Sequence, residues 1–254
     1  MPVVAETYDG TLNDINGMHV AAEHVREALA DATCGPVAEG SVGGGTGMIC
    51  HELKGGIGTA SRRVPGEQGG WTVDALVQAN YGRRPLLRVD GVPVGRVLTT
   101  ERVPSPLDGG ENDQAPGTGT IVVVLATDAP LLPIQCDRLA QRATVGLARM
   151  GGGLDDGSGD IFLAFATGNR GLPRAVLDGD VPQTLAARML PNERMTPPFH
   201  AAAEATEAAI LNALLAAGTM TGRDGTTAHG LDPDGLLAAL DEARPLSARG
   251  ISAG

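Results

Sequence analysis

Aromatic residues are nearly missing from this chain. Three Phe, two Tyr and one Trp make up 2% of its 254 residues. A core without them is filled by Val, Leu, Ile and Ala, so helices and strands have to approach closely. Basic residues are also few: 19 Lys and Arg stand against 30 Asp and Glu, a formal charge of -11. That balance excludes a nucleic-acid-binding surface. The one basic cluster, Arg83, Arg84 and Arg88, reads as a locally solvated face. Cysteine is scarce and odd in number, with Cys34, Cys50 and Cys136 far apart. This excludes a disulfide framework and suits a reducing compartment, so a cytoplasmic location is expected. The start MPVVAETYDG has no basic region followed by an apolar stretch and does not read as a signal peptide. The longest apolar runs, such as IVVVLA at 121–126, are far too short to span a membrane.

Several reaction classes drop out for want of their motifs. There is no HExxH, no cysteine pair and no dense His/Asp cluster, so a metal centre has no support. His19, His24, His51, His200 and His229 are scattered and read as solvated or hydrogen-bonded side chains. GxSxG is absent, which excludes an α/β-hydrolase elbow. The stretch GSVGGGTG at 40–47 lacks the Lys-Ser/Thr end of a phosphate loop. It reads as a tight structural turn or as a loop whose N–H groups face a substrate.

What is present is a folded composition. Hydrophobic residues reach 42% and glycine numbers 37, which fits one globular domain with many tight turns. Helical spacing predicts a helix over 18–32, with Val20, Val25 and Leu29 near one stripe. Two short strands are expected in 49–64, a strand over 71–82 ending at Asn80, and a hairpin over 86–98 turning at Asp90-Gly91. Residues 101–119, rich in Pro, Gly and Asp, read as a linker. The run 120–127, TIVVVLAT, is expected to be a strand buried on both faces. A helix over 134–149, a glycine loop over 151–159 and a buried strand over 160–167 follow. A long loop over 168–198 and helices over 199–217 and 233–241 complete the pattern. Mixed helices and buried strands point to stacked sheets covered by helices.

One arrangement could carry chemistry. Thr120 stands where the glycine-ended linker meets a strand. Cleavage of the bond before it would set a free α-amine, of pKa about 8, beside its hydroxyl and so supply a base. Ser158 and Asp160, in a Gly-Ser-Gly-Asp loop before the next strand, could form a polar relay to that amine. Asn80 offers an amide for an oxyanion, and Tyr8 could support it. On residue type alone each of these positions reads first as an ordinary turn or strand end.

Longer motifs narrow the reading. PVVAETYDGTLNDING at 2–17, GPVAEGSVGGGTGMIC at 35–50, KGGIGTASR at 54–62 and VQANYGRRP at 77–85 occur in order. IVVVLATDAPLLP at 121–133, SGDIFLAFATGN at 158–169 and ATEAAILNALLAA at 205–217 follow. In these the chain resembles the L-aminopeptidase/D-esterase and β-aminopeptidase family, the DmpA/BapA type, over essentially its whole length. The resemblance implies an α+β fold, an αββα four-layer sandwich like that of N-terminal-nucleophile hydrolases with its own connectivity. It implies one domain over 1–254 that cuts itself into 1–119 and 120–254. It implies release of N-terminal residues from small peptides, amides or esters, no metal or organic cofactor, and a homo-oligomer of cleaved units. Thr120 takes the nucleophile's place, Gly119 the cleavage site, Ser158 and Asp160 the relay, Asn80 the oxyanion donor, and Tyr8 its support or a second donor. Two departures stand out. The family's aminopeptidases usually carry serine where this chain has Thr120; a threonine nucleophile is instead the trait of the related ornithine acetyltransferases. Thr118 is a rival cleavage point. Family members also carry an N-terminal portion ahead of the segment matching 2–17, and its strands would otherwise cover sheet surface.

Overall fold

A computed structural model describes residues 3–108, 119–172 and 184–249. Most of the expected linker, the rival Thr118 and part of the expected loop over 168–198 lie outside these residues. In chain order the elements are α1 (Ala22–Ala30), β1 (Ile49–Cys50), β2 (Leu53–Lys54), β3 (Gly56–Arg63) and β4 (Thr72–Asn80). There follow β5 (Thr120–Thr127), α2 (Pro133–Ala140), α3 (Ala143–Arg149) and β6 (Ile161–Ala166). The last are α4 (Thr196–Ala216), β7 (Met220–Thr221), β8 (Thr227–Ala228) and α5 (Pro233–Arg249).

The frame is a four-stranded sheet in the order β3-β4-β5-β6. The first two pairings are antiparallel and β5–β6 is parallel. A parallel neighbour needs a crossover, and α2 and α3 supply it. Alternation along the strands sends Val73, Ala75, Val77 and Ala79 of β4 and Ile121, Val123 and Leu125 of β5 into the core. There α2 lies over β5 and β6, while β3 and β4 meet α4, whose buried face is largely alanine: Ala201, Ala202, Ala205, Ala209 and Ala213. Small side chains let that helix ride directly on the sheet. A Cβ on Gly58 of β3 would lie 2.0 Å from the Ala209 carbonyl oxygen. The scarcity of aromatics is thus matched by close helix-on-sheet contact rather than by large side chains.

The opposite face of the sheet has little cover. Leu76, Val122 and Val124 are only half-buried, and Ile161, Leu163 and Phe165 are 39%, 39% and 48% exposed. The expected burial of β5 on both faces, and of the strand over 160–167, is therefore corrected: one face packs on helices and the other does not. The described residues form a mixed α/β arrangement of one main sheet with helices on one face. No helix among them is long and apolar enough to cross a membrane.

Other expectations shift locally. Residues 86–98 do not form a hairpin. Asp90 and Gly91 do turn with positive φ of 51° and 72°, but a single bridge, Val89 to Val92, follows. Pro93 has no N–H to continue the ladder. The helix expected over 134–149 is two helices, although Leu139, Ala143 and Leu147 are all buried as the spacing required. α1 forms within 18–32, yet its stripe faces outward, with Val20, Val25 and Leu29 all exposed. α5 runs beyond its expected end to Arg249.

Candidate active site

The site begins with a register. β4 ends at Asn80, β5 begins at Thr120, and these two residues are partners in the antiparallel ladder. Partners across a ladder share a face, so both side chains belong to the open face. Asn80 is nonetheless fully buried. Its Oδ1 accepts from the Ile49 N–H at 2.8 Å, and its Nδ2 donates to the Tyr8 carbonyl at 2.8 Å. The amide therefore pins the N-terminal segment and β1 onto the end of β4, and one Nδ2 hydrogen remains beyond the bond to Tyr8.

Gly119 precedes Thr120 in a conformation that demands glycine. Its φ is 132°, and a Cβ there would lie 2.2 Å from the Asn80 carbonyl oxygen. On its other side Gly119 pairs with Ser158 in a parallel bridge, and the Gly159 N–H donates to the Gly119 carbonyl at 3.2 Å. The bridge brings the expected relay alongside. Ser158 Oγ donates to Asp160 Oδ1 at 2.6 Å, a charge-assisted bond, and the same oxygen accepts from the Ile121 N–H at 3.5 Å. Gly159 leaves room for the threonine hydroxyl: a Cβ on it would sit 3.3 Å from Thr120 Oγ1.

Four of the expected side chains thus converge on the Gly119–Thr120 peptide. The fifth residue, Tyr8, joins through its backbone. Its carbonyl holds Asn80, while its hydroxyl folds back over Gly10, where a Cβ would fall 2.5 Å from it. The ring is 37% exposed.

Beneath this end of the sheet lies a polar floor that sequence reasoning missed. The β1–β2 hairpin turns on His51 and Glu52, both left-handed at φ 51° and 60°. Such a turn normally uses Asn or Gly. Here Arg84 holds it. Its Nε donates to the His51 carbonyl at 2.8 Å, its Nη2 donates to the Glu52 carbonyl, and its backbone N–H donates to Glu52 Oε1 at 2.9 Å. Its Nη1 reaches the carbonyls of Leu98 and Val103 at 3.0 and 3.1 Å. Arg84 is 1% exposed, which corrects its assignment to a solvated face. A guanidinium that satisfies several backbone carbonyls is stable inside where a single positive charge would not be.

Lys54 plays the same part for the glycine stretch. Its Nζ donates to the carbonyls of Gly45, Met48 and Gly55 at 3.1, 3.1 and 2.8 Å. Burial pulls its pKa down to about 8, yet the carbonyls still receive an ammonium at neutral pH. Residues 40–47 therefore follow the tight-turn reading: a Cβ on Gly45 would meet the Gly40 carbonyl oxygen at 2.6 Å. Tyr81 completes the floor. Its ring lies edge-on to His51 at 4.9 Å, and its hydroxyl is buried beside the Cys50 thiol. Burial, with the charges of Cys50 and Asp160, pushes its pKa well above the usual phenol value. The one available signal was the basic pair in VQANYGRRP, since an arginine inside an apolar segment needs several acceptors.

A cavity of about 580 Å3 opens farther along the open face, beside Asp74, Leu76, Val124, Ala126 and Phe165. It lies toward the far end of β5 from Thr120. The profile of Peptidase family S58 matches residues 1–228.

The chain belongs to peptidase family S58.

Two curated relatives bear the name beta-peptidyl aminopeptidase BapA. The Sphingosinicella microcystinivorans protein is 50% identical over 252 residues, 97% of this chain and 62% of that protein. The Sphingosinicella xenopeptidilytica protein is 41% identical over 254 residues, 96% of this chain and 60% of that protein. Among solved structures, a Burkholderia sp. beta-aminopeptidase superposes with a TM-score of 0.86 at 59% identity, covering 93% of this chain and 63% of its own. An L-aminopeptidase D-Ala-esterase/amidase from Ochrobactrum anthropi, described as a variant of the Ntn-hydrolase fold, gives a TM-score of 0.78 at 42% identity. It covers 92% of this chain and 61% of its own. The mixed α/β architecture of this S58 chain is thus that of the Ntn-hydrolase-like fold. The chain spans about three fifths of the length of these relatives.

Proposed function

We propose that this chain is an autoprocessing N-terminal-threonine aminopeptidase. It cleaves itself between Gly119 and Thr120, and the halves 1–119 and 120–254 remain together as one domain. The observation that carries the reading is the setting of one peptide bond. Gly119 is held in a conformation open only to glycine, Thr120 Oγ1 follows it, and Asn80 and the Ser158–Asp160 pair stand on either side.

In the mature enzyme the Thr120 α-amine takes the proton of its own hydroxyl. The hydroxyl attacks the first carbonyl of a small peptide, amino-acid amide or ester. The remaining Nδ2 hydrogen of Asn80 supports the oxyanion, the leaving amine or alcohol departs protonated, and water releases the acyl group. Asp160, through Ser158, balances the ammonium form of the terminal amine and sets its pKa. Tyr8 acts as the acceptor that orients Asn80, not as a second oxyanion donor. This route needs neither metal nor organic cofactor. Cleaved units assemble as a homo-oligomer.

Hydrolysis of an amino-acid p-nitroanilide tests the reading. The unsubstituted chain releases nitroaniline and Thr120→Ala does not; equal release by both removes Thr120 as the nucleophile. The threonine itself favours a second reading, acyl transfer to an amine acceptor. An added amine that captures the acyl group in place of water would identify it.

A further inference from the structure

The bond that self-cleavage breaks has a carbonyl, and that carbonyl already has a donor. The Gly159 N–H points at the Gly119 oxygen at 3.2 Å. Asn80 is not placed to do this in the uncut chain through its bonded hydrogen, which serves the Tyr8 carbonyl. Gly159 also passes close to the attacking hydroxyl: a Cβ on it would lie 3.3 Å from Thr120 Oγ1. The same residue therefore flanks both reacting groups, the nucleophilic oxygen and the electrophilic carbonyl. The donor is held rigidly, because Ser158 is bridged to Gly119 and bonded to Asp160, whose carboxylate also meets the Ile121 N–H.

We infer that the backbone N–H of Gly159 is the oxyanion donor of the self-cleavage step. This rests on the self-processing reading above. Thr120 Oγ1 bonds to the Gly119 carbonyl carbon, and the carbonyl oxygen becomes an oxyanion that the Gly159 N–H receives. As the oxyanion collapses, the C–N bond to Thr120 breaks, and the hydroxyl proton ends on the departing nitrogen. Water then cleaves the Gly119–Thr120 ester, leaving a glycine carboxylate and a free threonine amine. A donor already in place needs no reorganisation when the charge develops, which is where such groups are most effective.

Ladder continuity alone would also produce this hydrogen bond, because Gly119 and Ser158 continue the β5–β6 register. The two roles separate by experiment. In cell-free translation an α-hydroxy acid replaces Gly159, turning its amide into an ester that cannot donate. A matched control carries the α-hydroxy analogue of threonine at Thr167, whose N–H donates to the Thr127 carbonyl at 2.8 Å at the far end of the same ladder. Appearance of the cleaved chains is followed by mass, and thermal melting is measured for both. The inference expects both esters to lower the melting temperature similarly, and the ester at 159 alone to slow cleavage by about 100-fold, the usual loss for one oxyanion donor. Equal cleavage rates for the two esters overturn it while leaving self-processing intact. A native-amide chain that stays at one mass overturns both.

Discussion

Asn80 and Thr120 are register partners at the end of the β4–β5 ladder, and Gly119 sits in contact with the Asn80 backbone just before that pair. The strand ladder thereby fixes the candidate nucleophile, the candidate amide donor and the bond to be cut relative to one another. No loop has to close to assemble them. Side chains placed by a ladder are held more closely than side chains on loops.

Gly119→Ala tests that placement. The new Cβ would fall on the Asn80 carbonyl, and alanine resists the left-handed φ. Self-cleavage should slow by at least about tenfold, with a stability loss of roughly 1–3 kcal/mol by urea titration. Wild-type cleavage kinetics in this variant would show that the junction is freer than its contacts imply.

Arg84→Ala should be among the most damaging single changes. It removes the donors to the carbonyls of His51, Glu52, Leu98 and Val103 at once and leaves those acceptors unpaired. Buried groups orphaned in this way cost several kcal/mol, so a loss of about 3–5 kcal/mol is expected in denaturant. A change below about 1 kcal/mol would mean that water replaces the guanidinium.

His51 makes stability depend on acidity. It is fully buried, its Nδ1 faces the Arg83 carbonyl at 3.0 Å, and burial lowers its pKa from 6.5 to about 4. The carbonyl can only accept, so Nδ1 carries the proton of the neutral ring. Between pH 6.5 and 4 the unfolded chain binds a proton that the folded chain refuses. Stability is therefore greatest above 6.5 and falls through that window, by up to about 3 kcal/mol. His51→Asn, suited to the left-handed turn, should flatten the pH profile of unfolding; an unchanged slope would assign the effect to other groups.

The open sheet face should make this polypeptide self-associate. Ile161, Leu163 and Phe165 form an exposed row on β6, which is also an edge strand. Leu163→Thr with Phe165→Thr keeps strand propensity and should lower light scattering and binding of a hydrophobic dye. No change in either would show that the row is covered in solution.

The strand ends were legible in the residues themselves, while the roles given to Thr120, Asn80, Ser158 and Asp160 came from the family resemblance. TIVVVLAT marked β5 to the residue, and VQAN placed Asn80 at the end of β4. Their pairing was not readable, since register depends on which strands become neighbours. The polar floor was hidden for a different reason. Nothing in the pair His51-Glu52 signals a left-handed turn without Gly or Asn, and a buried arginine looks like a surface one until its carbonyl partners are in place. The open face was misread because an apolar strand shows that both sides can be covered, not that both are.

The most direct measurement is the intact mass of freshly made protein beside Thr120→Ala. Two chains that divide between Gly119 and Thr120, seen only in the unsubstituted protein, are the expected result. A single uncut mass in both samples would contradict self-processing and with it the assignment of Thr120 as an N-terminal nucleophile.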